Sequence, residues 1–207
     1  MKNLKLLLVS LAILFSHNLT MGQGPKDGKN ERSPVKSALN AFKFRSIGPA
    51  FMSGRIADIA IDPKNENVWY VAVGSGGVWK TENSGTTWAP LADNMPFYST
   101  GCITIDPHNN ASIWLGTGEN VGGRHVGIGH GVYHSKDGGK SWKDMGLKKS
   151  EHISKIIVHP EDPNTVWVAS QGPLWSSGGE RGLFKTTDGG KTWKNTLDIN
   201  EWTGVTD

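Results

Sequence analysis

Gly77-Val-Trp-Lys-Thr-Glu-Asn-Ser-Gly-Thr-Thr-Trp88 decides the fold, because the chain repeats it twice. It returns as Gly131-Val-Tyr-His-Ser-Lys-Asp-Gly-Gly-Lys-Ser-Trp142 and as Gly182-Leu-Phe-Lys-Thr-Thr-Asp-Gly-Gly-Lys-Thr-Trp193. In each copy a short apolar run ends in Thr or Ser. A tight turn built on Asn or Asp and Gly follows, and a Trp closes it. Upstream, each copy is preceded by a second shared pattern: Ile59-Ala-Ile-Asp-Pro63, Ile103-Thr-Ile-Asp-Pro107 and Ile156-Ile-Val-His-Pro160. Between the two lies a third: Val68-Trp-Tyr-Val71, Ile113-Trp-Leu-Gly116 and Val166-Trp-Val-Ala169. Self-similarity at a period of about 50 residues, with several short apolar stretches per unit, indicates an array or a propeller.

Each unit reads as four strands. In the first, Ile56–Ile61 is strand A, Val68–Val73 strand B, Gly77–Thr81 strand C and Thr87–Leu91 strand D. Asp-Pro, Gly-Ser-Gly and Asn-Ser-Gly turns separate them. Nothing after residue 45 carries helical periodicity. The expected fold is therefore all-β, a β-propeller of four-stranded blades. Three blades are expected, at 44–92, 93–147 and 148–198, and 199–207 starts the first strand of a fourth. The interval from Trp88 to Cys102 equals that from Trp193 to Asp207, which puts Thr203-Gly-Val-Thr-Asp207 on that strand. A closed ring takes roughly four to eight blades. The pattern thus predicts the N-terminal piece of a longer, incomplete ring. Closure by oligomerisation is the other option, and it leaves open strand edges in the monomer.

Composition agrees and excludes several classes. The chain has 207 residues, with 27 Gly and 9 Trp, as many tight turns and short strands require. A formal net charge of +3 is too small and scattered to argue for nucleic acid. The single cysteine, Cys102, permits neither an internal disulfide nor a cysteine-based zinc cluster. At the N-terminus, Lys2 and Lys5 precede the apolar run Leu6–Phe15, and the small residues Thr20 and Gly22 follow. This order reads as an export signal over 1–22, and the run is too short to span a bilayer as a helix. Residues 23–43, with Pro25 and Pro34, read as a polar lead-in. The mature chain is expected to be secreted, periplasmic or at the cell surface, without a membrane span.

The boxes Thr81-x-Asn83-x-Gly85-x-Thr87-Trp88, Ser135-x-Asp137-x-Gly139-x-Ser141-Trp142 and Thr186-x-Asp188-x-Gly190-x-Thr192-Trp193 resemble Asp-boxes, also called BNR repeats. Such boxes occur in sialidases, xyloglucanases, the sortilin propeller and a photosystem II assembly factor. Gly116-Thr-Gly-Glu-Asn120 and Gly172-Pro-Leu-Trp175 are similar to phrases in exported bacterial proteins called sortilin-like or glycosyl-hydrolase BNR-repeat proteins. The resemblance covers 44–207 and speaks for the fold more than for an activity. It implies a structural role for Asn83, Asp137 and Asp188, whose side-chain oxygens accept backbone N–H groups in the turn, and for Trp88, Trp142 and Trp193, which cover it.

Function is expected on the other side of the blades. B–C loops and strand A starts share one face, opposite the boxes, and the long insertions are B–C loops: 118–131 in the second unit and 171–182 in the third. The candidate ligand-binding residues are Arg55, Asp58, Glu119, Asn120, Arg124, Trp175, Glu180 and Arg181, expected around one mouth. Carboxylates could serve glycosidic acid–base chemistry, and arginines could hold a carboxylate. Trp175, outside the repeat frame, is a stacking candidate. The bland alternative is that these residues brace the loops. His125, His130 and His134 invite a metal, but the Gly-broken segment holds no ligand spacing, and His134 shares its frame position with Lys80 and Lys185 at an expected solvated edge. No metal or cofactor is implied.

Xyloglucanases are understood to carry a catalytic Asp in the first blade's B–C turn, where this chain has Val73-Gly-Ser-Gly-Gly77; Gly74 cannot act as a base. The sialidase Arg-Ile-Pro is absent. The expected function is a binding or scaffolding propeller for a peptide, protein or glycan, with glycoside hydrolysis as the alternative. The remaining blades of a longer chain are expected partners.

Overall fold

A computed structural model describes residues 54–120 and 126–207. The expected leader and lead-in, and Arg124 and His125 with them, lie outside these residues. Among the described residues, twelve strands form three sheets, each ordered as its chain runs. The first holds β1 (Ile56–Ile61), β2 (Trp69–Val73), β3 (Gly77–Thr81) and β4 (Ala89–Pro90). The second holds β5 (Thr100–Asp106), β6 (Asn109–Thr117), β7 (Val132–Ser135) and β8 (Lys143–Asp144). The third holds β9 (Ile153–Val158), β10 (Val166–Ser170), β11 (Gly182–Thr186) and β12 (Lys194–Leu197). All pairings are antiparallel. This is the expected four-stranded blade architecture. The outermost strands are shorter than their apolar patterns suggest, β4 and β8 being 2 residues each.

The sheets stack through their first strands, β1 against β5 and β5 against β9. Alternation along each strand then sends one set of side chains to each neighbour. Tyr70, Ala72 and Val78 of the first sheet meet Ile103, Ile113, Leu115 and Tyr133 of the second in one buried core. Trp114, Val132 and Met145 meet Ile156, Val166, Val168 and Phe184 in the other. Each fully buried aliphatic of this kind contributes roughly 1.5–3 kcal/mol. Polar stitches repeat across the seams. Trp142 Nε1 donates to Leu91 O at 3.1 Å, and Trp193 Nε1 donates to Met145 O at 2.6 Å.

The turns after β3, β7 and β11 share one hydrogen-bond ring. The hydroxyl of Thr81, Ser135 or Thr186 accepts the N–H of Gly85, Gly139 or Gly190, at 2.9, 2.8 and 3.0 Å. The same hydroxyl donates to Asn83, Asp137 or Asp188 Oδ1, at 3.0, 2.8 and 2.7 Å. That oxygen in turn accepts the N–H of Thr87, Ser141 or Thr192, at 2.9, 2.9 and 3.0 Å. Gly190 shows why the last turn needs glycine: its φ is +83°, and a Cβ there would stand 2.9 Å from Trp114.

Past β12, Val205 N donates to Ser170 O at 2.9 Å, and Ser154 Oγ donates to Val205 O at 3.0 Å. Thr100 makes the corresponding contact one sheet earlier, its hydroxyl donating to Val73 O at 2.7 Å. The segment 203–207 lies where a next strand A would start, although it forms no regular strand.

Candidate functional site

The β2–β3, β6–β7 and β10–β11 loops leave the sheets at the ends where β1, β5 and β9 begin, as the pairs Ile56–Val73, Thr100–Thr117 and Ile153–Ser170 show. The described residues of both long insertions therefore leave the sheets on this loop face, opposite the box turns. The charged candidates do not converge there as free groups.

Glu119 is buried at 3% exposure and ties the first two sheets together. Its Oε1 accepts Arg55 Nε at 2.9 Å and Nη2 at 2.5 Å, and its Oε2 accepts Gly127 N at 3.0 Å. The carboxylate fills the space beside Gly74. A Cβ on Gly74 would collide with Glu119 Oε1 and stand 3.1 Å from its Cδ. One residue on, Asn120 O accepts Gln171 Nε2 at 2.9 Å, which links the second and third loops. The Asn120 side-chain Oδ1 is buried with no hydrogen-bond partner among the described residues.

His152 locks the same junction from below. It is 2% exposed, and its Nδ1–H donates to Glu119 O at 2.8 Å. Burial lowers its pKa, so the ring is neutral at neutral pH and the backbone carbonyl fixes its tautomer.

Arg181, expected at a ligand mouth, is instead spent on backbone carbonyls of its own loop and of Trp202. It is 8% exposed, and its guanidinium donates to five backbone carbonyls. Nε reaches Gly178 O at 2.8 Å; Nη1 reaches Gln171 O at 2.8 Å and Trp202 O at 3.2 Å. Nη2 reaches Pro173 O, and Ser176 O at 2.5 Å. A guanidinium has five N–H donors, so none remains for a ligand. Asp58 is likewise engaged in the seam: its Oδ2 accepts Ile103 N at 3.0 Å. Glu180 Oε2 accepts Lys149 N at 2.7 Å. For Asp58, Glu119 and Arg181 the bracing role is what the contacts display.

Two aromatic rings stand free on this face. Trp175 is 80% exposed in the β10–β11 loop, and Trp202, past β12, is 64% exposed, its carbonyl held by Arg181. A crevice of about 360 Å³ opens beside Trp202, lined also by Asn120, Gln171, Leu174, Arg181 and Thr206; Trp175 lies outside its lining. Gln171, His152 and Trp202 are absent from the expected site. Trp202 carried the same signal as Trp175, a tryptophan outside the repeat frame. His134, expected at a solvated edge, is buried and stacks on Trp114 with centroids 4.1 Å apart.

Stacked four-stranded sheets joined through their first strands define a β-propeller fold, and known proteins agree. No protein-family profile matches the chain. It is similar to a probable oligoxyloglucan-reducing end-specific xyloglucanase of Neosartorya fischeri, 22% identical over 181 residues, which is 80% of this chain and 20% of that protein. It is also similar to the chloroplastic photosystem II stability/assembly factor HCF136 of Oryza sativa subsp. japonica, 29% identical over 194 residues, covering 80% of this chain and 41% of that one. Among solved structures, an ancestral GH74 enzyme superposes with a TM-score of 0.53 at 22% identity, over 70% of this chain and 19% of the other. The chain thus spans from about a fifth to about two fifths of the length of these relatives.

Proposed function

We propose that this chain is part of an exported propeller that binds a glycan on its loop face, through stacking on Trp175 and Trp202 and hydrogen bonds from Asn120 and Gln171. The observation that carries the reading is the state of the acids. Asp58, Glu119 and Glu180 each hold a backbone N–H, and Glu119 also holds Arg55. A glycosidase needs two carboxylates facing the scissile bond, one able to give or take its proton. These three are committed to the framework, whereas the tryptophans are free. Glu119 also stands in the place of any side chain at Gly74, where the resemblance puts a xyloglucanase acid. The xyloglucanase relatives favour a glycan over a peptide as ligand. We read the three box turns as Asp-boxes with a structural role, and residues 1–22 as the export signal.

Titration calorimetry with xyloglucan oligosaccharides tests this. Binding that weakens at least tenfold in Trp175→Ala and Trp202→Ala, with no sugar released over hours, supports it. The second reading is a xyloglucanase-like hydrolase, favoured by the names of the same relatives. Reducing-sugar release by this chain that survives Glu119→Gln would replace the first reading with the second and require acids outside those described.

A further inference from the structure

On the opposite, box-turn side, the seam between the second and third sheets opens into a crevice of about 390 Å³. Lys136, Lys143 and Lys191 stand on its walls with Ser141, Trp142 and Asn164. All three lysines lack a salt bridge among the described residues. The one carboxylate in the lining, Asp188, is saturated: it accepts the N–H groups of Lys191 and Thr192 and the hydroxyls of Thr186 and Thr192. Asp106, in the adjoining crevice beyond His134, is paired with His108 at 2.8 Å. The three ammonium groups therefore outnumber the single carboxylate in the lining, and the crevice carries a net positive charge. At the floor, burial first and Lys136 second lower the pKa of His134 to about 4, Asp106 pulls it up by less than Lys136 lowers it, and Lys143 adds a smaller lowering.

The repeat supplies an internal control. Sheet register equates His134 with Lys80, both opposite the aromatic of the neighbouring strand, and Lys143 with Ala89. Two residues past His134 and Lys80 stand Lys136 and Glu82, and Glu82 takes up Lys80 in a 2.6 Å ion pair. The first seam thus cancels its charge where the second accumulates it. Box geometry does not require the difference, because the hydrogen-bond ring is the same in both units.

We propose that this crevice binds an acidic saccharide, a sugar residue bearing a carboxylate or sulfate. The lysines take the oxyanion, Asn164 and Ser141 take ring hydroxyls, and Trp142 and Met145 give the sugar an apolar wall. The proposal is independent of the loop-face reading, which uses neutral contacts on the other end of the blades. Calorimetry at 50 mM NaCl with trigalacturonate, a heparin-derived tetrasaccharide, cellotriose and triglutamate tests it.

At least one of the two acidic sugars should bind, with carboxylate or sulfate distinguished by which one does. Affinity should fall at least tenfold in Lys136→Glu/Lys143→Ala, which installs the first seam's residues, and about threefold in Lys191→Ala. Lys64→Glu/Lys155→Ala, a matched charge change elsewhere, should leave it within twofold. Absence of binding by both acidic sugars, equal binding of triglutamate, or equal losses in the crevice and control variants would overturn the proposal. Lys136 and Lys143 are exposed, so folding should survive. If the double variant fails to fold, an unchanged affinity in Lys191→Ala overturns it as well.

Discussion

The two ends of the blades solve their turns in opposite ways. On the box-turn side, three turns close the same ring of hydrogen bonds with local partners, and the distances agree to within a few tenths of an ångström. On the loop side, the described connections differ from one another, and each is fixed by its own charged side chain. Glu119 of the second loop is tied to Arg55 just before β1, whose carbonyl accepts Gly74 N of the first loop, and the third wraps its carbonyls around Arg181. A local ring can be copied with the repeat and tolerates loss of one copy. A single-use brace has no backup, so its loss should cost more.

Arg181→Ala should give the largest effect. It leaves five carbonyls, four in the loop and that of Trp202, without this donor. A cost of about 3 kcal/mol is expected, or a drop of about 6–12 °C in melting temperature for a domain this size. Arg181→Lys should recover little of it, because an ammonium has three donors and no planar fork. A shift under about 2 °C for the alanine variant would erase the asymmetry between the two faces.

Next comes the contact between Gly74 and Glu119. Gly74→Ala should cost about 1–3 kcal/mol through overpacking. Glu119→Ala alone should destabilise by removing the acceptor of Arg55 and Gly127. Combined, the two should cost less than their sum by at least about 1 kcal/mol, because the small side chain empties the space the new methyl needs. Additive losses in denaturant melts would show that the steric clash relaxes by another route.

On the repeated side the expected effect is smaller. Asp137→Ala should cost about 1 kcal/mol, and Asp137→Asn less, because Asn83 already closes the ring with its amide oxygen while its Nδ2 donates to Thr87 Oγ1 at 2.9 Å. The difference should appear in acid. The Ser141 hydroxyl, then the Ser141 and Ser135 donors, hold the Asp137 carboxyl down to about 2 from 3.8. A depressed carboxyl stabilises above its unfolded pKa and loses that contribution as pH falls from 3.8 through 2. Asp188 is depressed for the same reason and titrates below that. Asp137→Asn should therefore melt with a shallower pH dependence in this window than the parent chain. Identical acid limbs would contradict the role given to the ring.

The repeated half of the molecule was legible because its chemistry is local. Thr81, Asn83 and Gly85 sit within one turn, so spacing alone states which groups can meet, and the strands Ile56–Ile61 and Gly77–Thr81 fall where alternation and turn residues put them. The long insertions could also be assigned to one end of the blades, since antiparallel order fixes that. What Glu119 does there could not be read because its partner Arg55 lies 64 residues away, and what Arg181 does could not because backbone carbonyls have no sequence signature. A charged residue in a long loop has the same sequence signature whether it meets a ligand or ties the loop down. Burial separates the two, at 3% and 8% here. His134 failed for a related reason: its frame partners Lys80 and Lys185 reach out over Tyr70 and Trp167 with their cations, whereas a neutral imidazole can lie flat on Trp114 and bury itself.

The smallest expected change in stability is the one that bears most on function. Trp175 is 80% exposed and contributes no side-chain hydrogen bond among those described. Its loop is held by Arg181 through Pro173 and Ser176, the carbonyls on either side of it, so the backbone under the ring stays in place when the ring is removed. Trp175→Ala should then leave the melting temperature within about 2 °C, since surface substitutions away from such contacts stay within about 0.5 kcal/mol. Keeping a large apolar ring in water has no benefit to folding, and the hydrophobic effect works against it. A brace holding an exposed ring on a rigid backbone is a geometry suited to stacking. If Trp175→Ala destabilised the chain as much as Arg181→Ala does, the ring would be packing in solution, and both it and the loop would belong to the framework alone.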